Sequence, residues 1–359
     1  MVADILLFGA TGYTGRLTAE ALVDTGTSFA LAGRNPSKLQ AVSDRVGQPD
    51  IHVVDAQDLG ALVRALDGCK VLISTVGPFA RLGETAVRAA LQAGVHYVDS
   101  TGEGTFIDLL SSDFDEAARK AGSALAPAMG FDEVPGDVVC AMAAEGMERP
   151  DVTVTYAVGR SGSAGTVRSA IGIVGSTGPW IEHGHERRIR AGEERRWAPL
   201  PPPVGPSHTC SFPFALSRLA PLHLDPDSFR TFIKTSAIEA HALRLGAPMF
   251  RAFDLPPFAR LLDLIKTKLP EGPTADQRAD QRWMLLAEAS SQGRRRNVVA
   301  TGTDVYGLTA RTLAAAAAAM TAADYRGAGL MSPVQAVGME LLRETLTGHG
   351  VDFEVYSDD

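Results

Sequence analysis

The chain has 359 residues, which is long enough for two domains, and its 45% hydrophobic and 21% charged content is that of an ordinary globular protein. Its three cysteines are far apart and form no Cys-x-x-Cys pair, which argues against a disulfide framework or a structural zinc site. A net charge of −8 without any nucleic-acid-binding motif argues against a nucleic-acid partner.

The charge is unevenly distributed along the chain. Residues 1–150 carry 11 Lys/Arg against 20 Asp/Glu, whereas residues 151–315 carry 21 against 15. This change of sign favours a second domain with its own partner preference. The chain enters its first apolar run without a basic leader, and no apolar run is long enough to span a bilayer. We therefore expect a cytoplasmic protein with no membrane span.

The first element is the apolar run Ile5–Phe8, which is followed by a glycine-rich turn at residues 9–15 and then by apolar residues at helical spacing. This order predicts a strand, a tight turn and a helix, the context required of a dinucleotide-binding cradle. Glycine allows the turn and a close approach of backbone or ligand. The amides and the dipole at the start of the helix then favour an anion.

Apolar runs and helical patterns alternate through the first 145 residues. Further strands are predicted at residues 29–32, 51–54, 71–74, 95–98 and 124–126. Helices are predicted at residues 37–46, 59–66, 84–93 and 114–121. Alternation of this kind predicts an α/β fold with a doubly wound parallel sheet of the Rossmann type, which binds ligands at the carboxyl ends of its strands.

The pattern changes after Pro150. Alternating β-branched residues predict strands at 152–158 and 298–305, and helices are predicted at 166–174, 255–269, 310–323 and 334–347. Residues 182–208 mix charges and prolines and are interpreted as irregular. We therefore predict a Rossmann domain at 1–148, an α+β substrate or oligomerisation domain at 149–325, and a segment at 326–359 whose helix returns to the Rossmann domain.

The end of the second strand discriminates between the two nicotinamide cofactors. An acidic residue there would bind the ribose of NAD, but this chain has Gly33-Arg34-Asn35, with Lys38 one turn later. An arginine can instead pair with a 2′-phosphate, so the sequence favours NADP(H). The residues predicted to contact this cofactor are Gly9, Thr11, Gly12, Tyr13, Thr14, Gly15, Gly33, Arg34, Asn35, Lys38, Asp55, Thr75, Val76, Gly77 and Pro78.

With these motifs in place, the sequence resembles the saccharopine dehydrogenase-like family of NADP-binding oxidoreductases, and within it the trans-acting enoyl reductase branch. The motifs that carry the resemblance lie at residues 9–15, 32–34, 74–79, 97–103, 130–137, 165–169 and 329–355. The chain departs from the branch at Glu133 and Gly136, where we would expect serine.

The resemblance implies an NADP(H)-dependent reductase that acts on the C=C bond of an enoyl thioester or a related lipid or polyketide intermediate. Such a step needs a group that polarises the thioester carbonyl and a group that gives a proton. Arg168 and Asp132 are the predicted catalytic residues. Two alternatives stay open: a saccharopine- or opine-type dehydrogenase that reduces an imine, and a non-catalytic NADP-binding sensor.

Other sequence features are less specific. His183 and His185 have no third ligand at metal spacing, so no metal is expected. A short-chain dehydrogenase needs Tyr-x-x-x-Lys, and no tyrosine here has lysine four residues later. Arginine clusters at residues 187–196 and 294–296 are either solvated loop charges or a docking face for an acidic carrier protein. We expect a small or carrier-bound acyl substrate, and we leave the oligomeric state open, with a homodimer as one possibility.

Overall fold

The computed structural model of the chain describes residues 3–158, 177–236, 239–240 and 272–358. The chain divides into two compact units, each built from separate stretches of sequence. The first unit comprises Met1–Thr101, Thr105–Val134 and Val305–His349, and the second comprises Gly102–Gly104, Pro135–Asp304 and Gly350–Asp359.

The first unit contains a seven-stranded sheet. Numbered along the whole chain, its strands are β1 (Ile5–Phe8), β2 (Phe29–Gly33), β3 (Ile51–Val53), β4 (Val71–Ser74), β5 (His96–Asp99), β6 (Ala124–Ala126) and β15 (Gly329–Leu330). They pair in parallel in the order β15-β6-β5-β4-β1-β2-β3. Strands β1 and β4 are buried along their full length, as expected when helices cover both faces of a sheet. The predicted doubly wound Rossmann sheet is therefore confirmed, and its strand order reverses between β1 and β4.

Helices connect these strands. They are α1 (Tyr13–Thr25), α2 (Pro36–Ser43), α3 (Leu59–Ala65), α4 (Phe79–Ala93), α5 (Gly104–Leu109), which continues as one π-helical turn (Leu110–Phe114), α6 (Asp115–Ala121), α11 (Val305–Met320), α12 (Pro333–Val337) and α13 (Met339–Gly348). The alanine-rich α11 packs against α1 and α13, so the C-terminal helices return to the Rossmann unit as predicted. The single helix predicted at 334–347 is wrong, because Gly338, with φ of 84°, separates α12 from α13.

The second unit is built on a nine-stranded sheet. Its strands are β7 (Asp151–Val158), β8 (Thr177–Glu182), β9 (His185–Arg190), β10 (Arg195–Ala198), β11 (Ser207–Ser211), β12 (Ser228–Lys234), β13 (Trp283–Ser291), β14 (Arg294–Gly302) and β16 (Asp352–Asp358). The helices that accompany them are α7 (Val134–Ala144), α8 (Leu216–Leu219), α9 (Pro221–Leu224) and α10 (Ala275–Ala279). Only β12 and β7 pair in parallel among the described strands of this sheet.

The second unit differs from the sequence prediction in two respects. Residues 182–208 were predicted to be irregular, but they form most of the ribbon from β8 to β11, with a tight turn where His183 and Gly184 both have positive φ. Most charged residues of β9 are exposed although they lie in a strand, so their charge did not signal a loop. The unit boundaries also differ from the predicted domains, because residues 305–325 lie in the first unit and Gly350–Asp359 adds β16 to the second. The helices predicted at 166–174 and 255–269 lie outside the described residues.

Candidate dinucleotide-binding site

The turn between β1 and α1 is held by close backbone contacts. The Gly12 amide donates to the Gly9 carbonyl at 2.9 Å, and Gly9 itself has φ of +90°, which side chains other than glycine rarely adopt. A Cβ at Gly15 would overlap the Gly9 carbonyl oxygen and lie 2.9 Å from the Ala10 Cα. Glycine is therefore required at both ends of this turn for the strand and the helix to approach each other.

The N-terminus of α1 is suited to an anion. Gly12 is its N-cap residue, no side chain caps the helix, and no acidic residue occupies its first turn. First-turn amides of a helix have no intrahelical acceptor, and the helix dipole places partial positive charge there. A diphosphate is a ligand that fits these donors.

Arg16 adds a positive charge that the sequence reasoning missed. Its Nη1 donates to the Thr11 carbonyl at 2.9 Å, so the side chain folds back over the glycine turn. Long side chains on a helix point toward its N-terminus, which explains this direction. A basic residue in the first turn opposes the usual dipole preference, and that was the available signal in the sequence.

The end of β2 carries the predicted selectivity residues. Asn35 caps α2, since its side chain accepts from the Lys38 amide at 2.9 Å, and its carboxamide is thereby engaged within the protein. Arg34 is exposed, and no described residue forms an ion pair or a hydrogen bond with its guanidinium. Gly33 lies close to Thr11, since an added Cβ would be 3.7 Å from the Thr11 hydroxyl oxygen. The end of β2 thus lies beside the glycine turn and presents a positive charge to solvent.

The turns after β3 and β4 contribute the remaining predicted contacts. Asp55 is exposed, and its carboxylate accepts from the Gln57 amide at 3.0 Å. Thr75 donates its hydroxyl hydrogen toward the Phe8 and Gly9 carbonyls, both at 3.2 Å, which ties β4 to the glycine turn at the point where the strand order reverses. Val76 follows it, and the peptide bond between Gly77 and Pro78 is cis.

An aromatic pair lies at the start of α1. The rings of Tyr13 and Tyr306 meet edge to face with centroids 5.1 Å apart, which links α1 to α11. This contact gives Tyr13 a packing role within the unit. Thr14 likewise serves the helix, since its carbonyl accepts from the Thr18 hydroxyl at 2.9 Å.

The loop after β6 is anchored by the end of β5. Asp99 is fully buried, and its Oδ1 accepts from the amides of Thr101 at 2.8 Å and Ala128 at 2.9 Å. Its backbone carbonyl also accepts from the Met129 amide at 2.7 Å. These bonds explain how the carboxylate of Asp99, the last residue of β5, can be buried, and they give it a structural role.

The same loop is held from its other side by α11. The Thr309 hydroxyl accepts from the Phe131 amide at 3.0 Å, and the Thr312 hydroxyl donates to the Met129 carbonyl at 2.6 Å. Asp132, one of the two predicted catalytic residues, follows immediately. Its backbone is therefore fixed at the carboxyl edge of the sheet, the edge at which open α/β folds bind ligands.

Asp132 has an unusual environment for a carboxyl group. Its surface is accessible to solvent, yet desolvation by the protein atoms around it raises its pKa to about 6 from 3.8. Solvent therefore reaches the Asp132 side chain even though neighbouring protein atoms crowd its carboxyl group. A carboxyl with this pKa holds a proton for part of the time near neutral pH, as a general acid must.

Comparison with known proteins identifies the kind of domain to which this site is similar. Residues 5–128 match the family model described as saccharopine dehydrogenase NADP binding domain. Over these residues the chain is similar to the NADP-binding domain of the saccharopine dehydrogenase family. The resemblance stated from the motifs is thereby confirmed, and NADP(H) is the cofactor of this domain.

Two curated relatives and one solved structure are also similar to this chain. A trans-acting enoyl reductase of Mycobacterium ulcerans is 37% identical over 141 residues, which is 38% of this chain and 34% of the relative. A lipid droplet localized protein of Caenorhabditis elegans is 32% identical over 147 residues, again 38% and 34% of the two chains. The alignments thus span about a third of each relative's length. Saccharopine dehydrogenase (L-Glu forming) of Saccharomyces cerevisiae shares the fold over 99% of this chain and 100% of its own, with a TM-score of 0.59 and 14% identity.

The observed residues fit the cofactor that the NADP-binding domain implies. The glycine turn admits a close ligand at an uncapped helix N-terminus, and the end of β2 offers an arginine where an NAD site would hold a carboxylate. Individual contacts between NADP(H) and the residues named from the sequence stay predictions. Arg168, the other predicted catalytic residue, lies outside the described residues.

Outside the NADP-binding domain, several sequence features have plain structural partners. Within the described ranges, no group of three or more His, Cys, Asp or Glu could hold a metal, and no helix is long and apolar enough to cross a membrane.

Arg187 lies among three carboxylates, those of Glu182, Glu193 and Glu194. Much of the positive charge of the 187–196 cluster is therefore neutralised internally.

Proposed function

We propose that this chain is an NADP(H)-dependent reductase of the C=C bond in an enoyl thioester or a related lipid or polyketide intermediate. The observation that carries the proposal is the cradle in the first unit, an uncapped helix N-terminus beside the exposed Arg34. The substrate class is supported by the relatives named trans-acting enoyl reductase, which are 37% identical over part of the chain.

The protein's share of this chemistry is positioning, charge stabilisation and proton transfer. When bound, NADPH supplies a hydride for the β-carbon of the substrate. Negative charge then builds on the thioester oxygen, where a preorganised donor lowers the barrier. We assign that donor role to Arg168, on the sequence alone, and we assign to Asp132 a role in holding a proton at the carboxyl edge of the sheet. The pKa of about 6 supports that role for Asp132.

A substrate panel tests the proposal. The protein of 359 residues is incubated with NADPH and, separately, enoyl thioesters on coenzyme A or pantetheine, α-keto acids with amines, and preformed imines. We expect NADPH oxidation only with the enoyl thioesters, with one saturated thioester formed for each NADPH consumed, as measured by mass spectrometry. Turnover of the imine set alone would replace the proposal with an amine-forming dehydrogenase. Tight NADPH binding without turnover of any set would favour a sensor.

The delivery of the substrate is a separate part of the proposal. An acidic carrier protein would bind to positive charge that is not already paired within this chain. In the two arginine clusters, the side chains of Arg190 and Arg295 are exposed and form no ion pair with a described residue. We propose that these side chains, rather than Arg187, would contact such a carrier. Replacing both with serine should raise KM for a carrier-bound enoyl substrate and leave KM for the free pantetheine thioester unchanged.

A further inference from the structure

The loop that leads to Asp132 has a backbone conformation that needs support from its surroundings. Ala128 has φ of 61°, in the left-handed region that residues other than glycine rarely adopt. Such strain persists only where neighbouring contacts hold it, and it clusters at functional sites. Here the Asp99 carboxylate accepts from the Ala128 amide at 2.9 Å, and Thr312 donates to the Met129 carbonyl at 2.6 Å. The loop is thus held from β5 on one side and from α11 on the other.

Thr309 on α11 binds the residue immediately before Asp132. Its hydroxyl donates to the Val305 carbonyl at 2.8 Å, and its oxygen accepts from the Phe131 amide at 3.0 Å. The donated bond fixes the orientation of the hydroxyl group and leaves a lone pair for the amide. The methyl group is also used, since a Cβ added at Gly130 would lie 3.2 Å from Thr309 Cγ2. Threonine therefore holds this loop both by a hydrogen bond and by packing.

The same side of α11 also contacts the glycine turn. Tyr306 lies three residues before Thr309, and residues three apart are neighbours on one side of a helix. The ring of Tyr306 meets that of Tyr13, the first residue of α1, with centroids 5.1 Å apart. All these residues belong to the first unit. A short series of contacts through the first turns of α11 thus joins the loop of Asp132 to the start of α1.

The charged groups of the neighbouring elements are paired or buried. On β5, the Asp99 carboxylate accepts from two backbone amides. Arg311, the one charged residue of α11, forms an ion pair with Asp24 of α1 at 3.6 Å. Glu133, which follows Asp132, is buried. Desolvation is what raises the pKa of Asp132 to about 6, so the acidity of this carboxyl depends on how closely the loop holds it against the protein.

We propose that Thr309 is the positioning residue of Asp132, and this rests on the proposed function. The hydroxyl of Thr309 holds the Phe131 amide, and this bond keeps the carboxyl of the next residue in the crowded position in which it retains a proton for the reduction. Thr309 acts through the backbone of Phe131 and not on the substrate. The glycine turn and the proton-holding carboxyl are therefore aligned by one helix, which comes from residues 305–320.

Thr309→Val tests the proposal in the 359-residue protein, because valine has the shape of threonine without the hydroxyl. The Phe131 amide loses its acceptor, so the loop should loosen and the pKa of Asp132 should fall toward its ordinary 3.8. In the enoyl thioester assay, the alkaline limb of the kcat profile should move to lower pH. Above that limb kcat should fall about tenfold for each pH unit of movement, while KM and the Kd for NADPH stay at their wild-type values.

Two further variants separate the hydroxyl from a general effect on the helix. Thr309→Ser restores the hydroxyl and should return the kcat profile to that of the wild type. Thr321→Val is the matched control, because the hydroxyl of Thr321 donates to the Ala318 carbonyl at 2.7 Å just beyond the other end of α11. This control should leave the profile unchanged. Thr309→Ala adds no atom to the site and should give the same shift as valine if valine lowers the melting temperature.

A second measurement does not depend on turnover. Carboxyl ¹³C NMR of aspartate-labelled protein, with Asp132→Asn to assign the signal, should show Asp132 titrating at lower pH in Thr309→Val and at the wild-type pH in Thr309→Ser. An unchanged titration and an unchanged kcat profile in Thr309→Val would overturn the proposal. An equal shift in Thr309→Ser would also overturn it, because the hydroxyl would then have no part in the effect. Failure of the proposed function is distinct, since it is an absence of enoyl turnover in the wild-type protein while the NMR result stands.

Discussion

Cofactor selection by Arg34 can be tested without disturbing the fold. The guanidinium is exposed and contacts no described residue, so Arg34→Ala should leave the melting temperature unchanged. If the side chain pairs with the 2′-phosphate of NADPH, the substitution removes a charge-assisted, two-pronged contact worth about 1.5–3 kcal/mol. The Kd for NADPH should then rise roughly 10- to 150-fold. NADH has no 2′-phosphate, so its Kd should not change, and the preference for NADPH should fall by the same factor.

Isothermal titration calorimetry with both cofactors provides the measurement. An exposed charge pair is screened by salt, so the difference between wild type and Arg34→Ala should shrink at high ionic strength. Arg45→Ala is the matched control, because this arginine is also exposed and follows α2 at its other end. Equal NADPH affinity in wild type and Arg34→Ala would refute the assignment. An equal loss for NADPH and NADH would show that Arg34 acts on the site in general and not on the 2′-phosphate.

Three further predictions concern the first unit. Gly15→Ala should destabilise this unit by at least about 1–3 kcal/mol and abolish NADPH binding, because the added Cβ meets the Gly9 carbonyl. The control Gly348→Ala, in open space at the end of α13, should be neutral or stabilising. Denaturant unfolding measures the free energy of unfolding of both variants. The native pKa of Asp132, about 6, lies above the ordinary 3.8, so its stabilising contribution is complete below the lower value and is lost as pH rises through the higher one. The melting temperature of Asp132→Asn relative to wild type should therefore increase between about pH 4 and pH 6.5, and a difference independent of pH would contradict the raised pKa. Leu342→Ala, at a fully buried site on α13, should cost about 2–5 kcal/mol in unfolding free energy, and a change below 0.5 kcal/mol would mean that this helix is not part of the core.

The parts of the fold that sequence reasoning predicted are those governed by local pattern. The strand runs of the first sheet are short, apolar and bounded by glycine or aspartate, and such runs are buried on both faces of a parallel sheet. Asn35 and Pro36 mark the start of α2 because a cap and a first-turn proline are both local signals. These elements also carry most of the residues that are predicted to contact the cofactor.

The parts that escaped prediction depend on distant partners, on side-chain direction or on charged residues in an exposed strand. The burial and bonding of Asp137 and His223 depend on a contact between residues 86 positions apart, which no spacing rule reveals. The role of Arg16 depends on a side-chain direction, and the raised pKa of Asp132 depends on the atoms that surround it. The ribbon from β8 to β11 was missed because an exposed strand can carry as many charges as a loop. Tertiary contacts determine the Asp137–His223 pair and the pKa of Asp132, whereas the Arg16 contact and the pairing of β8 with β9 are local in sequence.

The discontinuity of the first unit has a consequence for how the protein is made. Strand β15 pairs with β6 at the edge of the first sheet, and α11 to α13 complete the same unit. The sheet therefore cannot be completed during synthesis until about 330 residues have been made. The second unit must likewise wait for β16, which pairs with β14. A contiguous Rossmann sequence would normally give an early folded domain, but here the first unit is completed only by Val305–His349 and the second only by Gly350–Asp359. Grafting the cofactor domain onto another protein would accordingly require three separate segments, and a fragment ending near residue 148 should bind NADPH poorly because its sheet edge and helical cover are missing.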